Sequence, residues 1–435
     1  MTTVVTGATL RAGVAKVDIT PPAGERMWGY AGRSGPATGT LDPLCARVLV
    51  LEADEKRLAL IALDLGRSFG PPALARLREA VKKSSGISYV LAAASHTHSG
   101  PVIKDEYPGA AAPAWESITL ERIAQSVDVA HGHAVDARLG AGYGSAHIGH
   151  NRRRVNADGT VNWVGRNPSR SPTSPVDPMV SVLRVDTQEG RPLAILVNYA
   201  CHPVVFGPDN LRFSADFPGI MARTVEQALE GQALCFFLQG AAGNINPYYA
   251  VTPLPENAIP WRDWTGEQLG QEAARVAKTI ETRSDSPSLD FAEDTLTFHL
   301  RWKPEQFRQG LRRYGEAFYA DFAPRIREEW QLPVATVLIN KRFALMSVPG
   351  EPFVEFQMSW RDRCPLPGAF LLGYANGYYG YFPTLQAASE GGYGAADATT
   401  WVEVGAGERM VDQALIRIHE MLGRLTDAPQ NPPYE

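Results

Sequence analysis

The chain has 435 residues, 44% hydrophobic and 20% charged, a balance that excludes a disordered segment, a collagen-like repeat and a disulfide miniprotein. With 42 Lys and Arg against 47 Asp and Glu, the formal net charge is -5, which gives no reason to expect nucleic acid or an anionic membrane as a partner. A chain this long buries enough surface to fold without a structural metal, so a metal, if present, is expected to serve chemistry.

From the N-terminus, apolar runs of strand length fall at residues 13–19, 47–52, 58–64 and 89–94, with a helical pattern at 73–82 between the third and fourth. A helix follows at 115–130, then strands at 180–185 and 193–199, a helix at 219–230, a strand at 233–238 and a helix at 267–282. The stretch 304–330 reads as helical with a break at Pro324, strands follow at 334–339, 343–348 and 369–373, and an amphipathic helix closes the pattern at 408–425. Several strands are apolar nearly throughout, as strands buried on both faces are. The alternation predicts an α/β fold: one layered domain over residues 1–426, with a mixed, largely buried β-sheet flanked by helices. Two irregular stretches, 151–177 and 376–401, read as functional loops, and the proline-rich end, 427–435, as a loose tail.

Cys45, Cys201, Cys235 and Cys364 are far apart in the sequence and read as free thiols. No apolar run reaches the length of a membrane span, and the N-terminus lacks the pattern of a secretory signal, so a cytoplasmic location is expected.

Four motifs carry chemistry, and each follows the end of an expected strand. Ser95-His96-Thr97-His98-Ser99-Gly100-Pro101 offers two imidazoles two residues apart, able to converge on one metal or to divide metal and substrate between them. Asn198-Tyr199-Ala200-Cys201-His202-Pro203 offers another imidazole, Val348-Pro349-Gly350-Glu351-Pro352 a carboxylate, and Asn376-Gly377-Tyr378-Tyr379-Gly380-Tyr381 a cluster of phenols. Singly, these are equally well a core histidine, a turn residue and packed tyrosines. Together they make a credible zinc shell of nitrogen and oxygen donors at the carboxyl ends of strands, where open α/β sheets bind ligands. The Gly-rich turn 240–247 lacks the nucleotide-binding patterns, and its Asn244 and Asn246 are expected to face an oxyanion or a substrate amide. A rival reading is a serine hydrolase: Gly66-Arg67-Ser68-Phe69-Gly70 matches G-x-S-x-G after a strand, with His419 available by order. Pro71-Pro72 fits that elbow poorly, and the histidine pair would go unexplained.

The order of these blocks, with Ala15-Lys16-Val17-Asp18-Ile19-Thr20-Pro21, Met27-Trp28-Gly29-Tyr30-Ala31 and Leu41-Asp42-Pro43-Leu44 upstream and Tyr393 downstream, resembles the neutral/alkaline non-lysosomal ceramidases, zinc-dependent amidases. The resemblance runs from about residue 13 to 425. It implies one Zn²⁺ per chain held by His96, His202, Glu351 and Tyr381, with His98, Arg152 and Tyr393 working beside Tyr381 on the substrate. It also changes the reading of Arg152 from a solvated residue of a basic loop to one facing the site. Asn246 departs from the pattern, standing where the family carries a serine, so the resemblance does not carry ceramide specificity over to this chain, while attack by zinc-activated water is still implied. The family's C-terminal β-sandwich is not expected here. The implied activity is hydrolysis of the amide of an N-acyl amine or other small or lipid-like amide. An esterase or lactonase using the same zinc site, or a catalytically altered relative that only binds its ligand, are the alternatives.

Overall fold

The computed structural model describes residues 9–104, 113–284 and 287–425; the tail expected over 427–435 lies outside them. The main sheet has eight strands: β1 (Arg11–Asp18), β2 (Cys45–Ala53), β3 (Lys56–Leu63), β4 (Tyr89–Ala94), β5 (Val135–Ser145), β6 (Met179–Thr187), β7 (Pro192–Tyr199) and β8 (Leu234–Gln239), in the order β8-β7-β6-β5-β1-β2-β3-β4. It is antiparallel through the middle and parallel at its two margins, β3 with β4 and β7 with β8. A second sheet, not expected from the sequence, pairs β9 (Leu289–His299), β10 (Glu329–Ile339), β11 (Phe343–Ser347) and β12 (Gly368–Leu372), with β11 and β12 parallel.

Each parallel pair needs a crossover, and in each case a helix supplies it. These are α1 (Pro71–Ser85) between β3 and β4, α3 (Asp216–Ala228) between β7 and β8, and α7 (Val354–Arg363) between β11 and β12. The inner faces of the two sheets share one apolar cluster, Leu49, Leu60, Leu196 and Phe236 meeting Val337, Leu345 and Phe370. The outer face of the main sheet is covered by α1 and α2 (Ala114–Gly132) on one half and by α3 and α4 (Ala258–Thr279) on the other. The outer face of the second sheet is covered by α7 and α9 (Ala406–Met421). The expected mixed, buried sheet flanked by helices is therefore present, doubled into a helix–sheet–sheet–helix stack. Among the described residues no helix is long and apolar enough to cross a membrane, and the four cysteines are free and buried.

The expected helical stretch 304–330 is corrected. Gly315, at φ +101°, separates α5 (Pro304–Arg312) from α6 (Glu316–Phe322), and residues from Glu329 onward already belong to β10. The two irregular stretches also carry structure. A short hairpin pairs Arg153–Val155 with Val161–Trp163, and α8 (Leu385–Glu390) sits inside the second stretch, its N-terminus capped by the Thr384 hydroxyl.

Candidate metal centre and cavity

All six strands of the three parallel pairs point their carboxyl ends at one place, the seam between the sheets, and the loops leaving them build the site. The loop after β4 turns sharply, with His96 in the left-handed region at φ +69°. The loop after β12 does the same twice, at Tyr374 (φ +56°) and Asn376 (φ +54°). Non-glycine residues held there store strain that the surrounding structure must offset, and they gather at functional sites. Here the hold is visible: Asn376 Oδ1 accepts from the Ala92 amide at 2.9 Å, tying the loop after β12 to β4.

His96 turns its Nδ1 to the Gly66 carbonyl after β3, at 2.5 Å, and His202 turns its Nδ1 to the Ala242 carbonyl after β8, at 2.6 Å. A carbonyl only accepts, so each Nδ1 carries the proton and each Nε2 presents a lone pair. Both Nε2 atoms face Glu351 Oε2, His202 at 2.9 Å and His96 at 3.4 Å. Burial, then Arg152, lowers the pKa of His202 to about 4. Burial works against the charge of Glu351, and positive charge at its histidine side holds the carboxyl well below its usual range. Two imidazole lone pairs and a carboxylate thus converge with no proton to share between them. That arrangement is repulsive by itself and suits a bound cation, and its nitrogen and oxygen donors suit zinc.

His98 Nε2 lies 3.2 Å from His96 Nε2, and the imidazoles of His96, His98 and His202 cluster closely enough to share a metal. The other nitrogen of His98, Nδ1, is buried without a hydrogen-bond partner and packs on Gly29, where a Cβ would come within 2.5 Å of it. Burial, then His96 and His202, drives the pKa of His98 well below its usual value.

Glu351 is held from the other side by two tyrosines of the loop after β12. Tyr378 donates to its Oε1 at 2.5 Å and Tyr374 to its Oε2 at 3.5 Å. Tyr381 lies beside His202, ring centroids 6.5 Å apart and nearly parallel, and its hydroxyl accepts from Arg152 Nη2 at 2.8 Å. Burial pushes the Tyr381 phenol well above its usual pKa, with Arg152 pulling the other way. Tyr393 packs edge-on to Tyr381 at 5.6 Å.

The structure therefore brings together His96, His98, His202, Glu351, Tyr381, Arg152 and Tyr393. It does not bring Asn244 and Asn246 to the cavity as substrate contacts. Asn244 accepts from the first amide of α7, Val354, at 2.8 Å and donates to Glu355. Asn246 is buried behind Tyr381, between Arg152 and the Gly165 carbonyl. Ser68 is also displaced from its rival role. It is fully buried, its hydroxyl donates to the Ala92 carbonyl at 2.9 Å, and His419 lies on α9, in the opposite outer layer.

Sequence reasoning placed Tyr378 in the cluster of phenols without a role of its own, and missed Tyr374 and Gln239. Gln239, at the end of β8, donates through one Nε2 to the carbonyls of Ser95 and Cys201, at 2.8 and 2.9 Å. Those are the residues just before His96 and His202. A glutamine closing an otherwise apolar strand was the available signal.

The centre lies at the base of a cavity of about 750 Å³. His96, His98, Glu351, Tyr378, Tyr381 and Tyr393 line its floor side, and Trp28, Phe322 and Trp401 supply apolar wall. Phe322 and neighbouring residues reach it from the segment between β9 and β10.

Residues 10–251 match the family described as neutral/alkaline non-lysosomal ceramidase, N-terminal. The chain belongs to this family. Among curated members, the neutral ceramidase of Pseudomonas aeruginosa is 27% identical over 259 residues, covering 56% of this chain and 38% of that protein. The matched region thus spans well under two thirds of that ceramidase's length. The crystal structure of neutral ceramidase from Pseudomonas aeruginosa superposes with a TM-score of 0.74 at 19% identity, over 95% of this chain and 75% of that one. A structure described as ceramidase complexed with C2 gives 0.77 at 18% identity, over 98% and 77%. At those identities the likeness establishes the fold, including the second sheet beyond residue 251.

Proposed function

We propose that this ceramidase-family chain is a zinc-dependent hydrolase that cleaves the amide bond of a lipid-like N-acyl amine. The observation that carries this reading is the convergence of His96 Nε2, His202 Nε2 and the Glu351 carboxylate at the base of an apolar-walled cavity. These three residues would hold the ion, with Tyr381 completing the set as the family resemblance implies. Zinc bound there supplies Lewis acidity, polarising the amide carbonyl and lowering the pKa of water to about 7. Arg152, donating to the Tyr381 oxygen, favours the ionised phenol and puts positive charge beside the developing oxyanion. His98 is neutral and exposes only Nε2 to the site, so that nitrogen takes a proton from the attacking water and passes it to the departing amine. Trp28, Phe322 and Trp401 exclude water from the acyl chain.

The purified protein, incubated with N-acyl sphingosine, simpler N-acyl amines and matched esters, is expected to hydrolyse amides, to stop on addition of a strong chelator and to recover with zinc. Turnover indifferent to the chelator in metal-free protein would sink the zinc mechanism. Cleavage of esters without amides would replace the amidase reading with an esterase one.

Gly29 provides a sharper test of His98. Its φ is +99°, and a Cβ there would come within 2.4 Å of His98 Cγ. Gly29→Ala is expected to displace the imidazole and reduce kcat at least about a hundredfold, the lower end of the range for a positioned acid–base group, with zinc content unchanged. Wild-type kcat in this variant would remove His98 from the proton transfer.

A further inference from the structure

Arg152 poses a physical problem. It is 4% exposed, and among the described residues no carboxylate lies within ion-pair distance of its guanidinium. A buried charge without a counter-charge is costly unless other groups hold it. Its hydrogen bonds run from Nη1 to Asn246 Oδ1 at 3.1 Å, and from Nη2 to the Gly243 carbonyl at 2.6 Å and Tyr381 Oη at 2.8 Å. Beyond these bonds, Glu351 attracts the guanidinium from a distance, and the remaining close contacts are aromatic. The guanidinium carbon sits 4.5 Å from the centroid of Trp163, 5.3 Å from Tyr393 and 5.4 Å from Tyr381.

Trp163 is the closest of these faces and the least expected, because it is 47% exposed at the end of the short hairpin. Its ring edge meets Tyr393 at 4.7 Å, and the next residue, Val164, donates its amide to the Arg152 carbonyl at 2.7 Å. Asn246 closes the arrangement from the other side. While Oδ1 accepts from Arg152, Nδ2 donates to the Gly165 carbonyl at 3.1 Å, so one buried amide joins the guanidinium to the strand end that carries Trp163. Neither Trp163 nor Asn246 lines the cavity.

We propose that Trp163 and Asn246 are positioning residues that clamp the Arg152 guanidinium, from its face and from its edge, so that Nη2 stays on the Tyr381 oxygen. Their effect on turnover rests on the hydrolase reading above; their effect on Arg152 does not. A cation–π contact of this kind, lost from a largely desolvated site, corresponds to about tenfold in an equilibrium or a rate.

The test is a double-mutant cycle with a structural arm. Trp163→Ala is expected to lower kcat about tenfold with KM changed less than about twofold, and Trp163→Phe, which keeps an aromatic face, to recover most of the loss. In an Arg152→Met background, Trp163→Ala is expected to be silent, because the group it holds is gone. Asn246→Ala is expected to behave like Trp163→Ala in both backgrounds. A loss that persists undiminished in Arg152→Met, or wild-type kcat in both single variants, would overturn the proposal. The structural arm is read without any turnover: a crystal structure of Trp163→Ala is expected to show the contact between Arg152 Nη2 and Tyr381 Oη broken, and its retention would overturn the clamp even if no substrate were found. A wild type that cleaves no amide or ester, with the contact broken in Trp163→Ala, would remove the hydrolase reading and leave the clamp standing. If Trp163→Ala does not fold, Trp163→Leu, with similar apolar bulk and no aromatic face, takes its place in both arms.

Discussion

His202→Ala is expected to lose bound metal and turnover together. Elemental analysis should find about one zinc per wild-type chain, the stoichiometry of a mononuclear catalytic site, and under about a tenth of that in the variant. Loss of one of the four protein donors leaves His96, Glu351 and Tyr381 around a gap they cannot close on an ion. His202 is wholly buried, and its Nδ1 contacts the Ala242 carbonyl at 2.6 Å and the Ile245 carbonyl at 3.2 Å, so the variant also gives up local hydrogen bonds. Glu351→Gln separates the two effects. It keeps the shape and the Tyr378 contact but removes the charge that balances a divalent cation, and should likewise empty the site. Turnover in either variant is expected to fall at least about a thousandfold, since the remaining groups lack a Lewis acid. Full zinc stoichiometry in both would show that the ion sits elsewhere.

Arg152→Met is expected to leave zinc in place and still cost about 10²–10³ in kcat, the scale of removing one preorganised donor from an oxyanion site. The structure makes this specific. Arg152 does not line the cavity, so a direct salt bridge to an acidic substrate is not available to it. Its loss should therefore affect neutral and acidic amides alike, with KM little changed. Selective loss on acidic substrates would mean that the guanidinium swings out to meet them.

Much of this architecture is written in local pattern. The strands β4, β7, β8 and β11 are short apolar runs bounded by Gly, Pro or polar residues, and they sit where such runs predict. β5 was not legible because Gly140, Gly142 and Gly144 interrupt it. Their missing Cβ atoms let the end of α4 and the residues after it lie directly on the sheet, where a Cβ on Gly140 would meet the Glu281 carbonyl at 2.3 Å. A strand flattened to admit a helix looks like a loop in one dimension. β9 was hidden by its polar residues, Asp290, Glu293 and Asp294, which break any period-two pattern and befit an edge strand.

The site divides the same way. Histidines and a carboxylate at strand ends are visible because strand ends are where α/β sheets gather ligands. The parts that depend on a turn's handedness are not. Tyr374 and Tyr378 reach Glu351 only because Tyr374 and Asn376 enter the left-handed region, and no periodicity announces that. Asn244 and Asn246 lie outside the cavity lining, because a Gly-rich turn with amides suits an oxyanion site and a structural junction equally well. Here the amides are consumed by α7 and by Arg152.

The centre draws His96 and His202 from loops of the main sheet and Glu351 and Tyr381 from loops of the second. During synthesis, the two histidines emerge long before their carboxylate. Until β11 and β12 have paired and docked, the chain holds the imidazoles of His96, His98 and His202 with no carboxylate among them. A competent ion site is therefore a product of the last stage of folding. The anionic donor that balances a divalent cation arrives last, so an ion held with Glu351 in its shell would report that the two sheets have closed on one another.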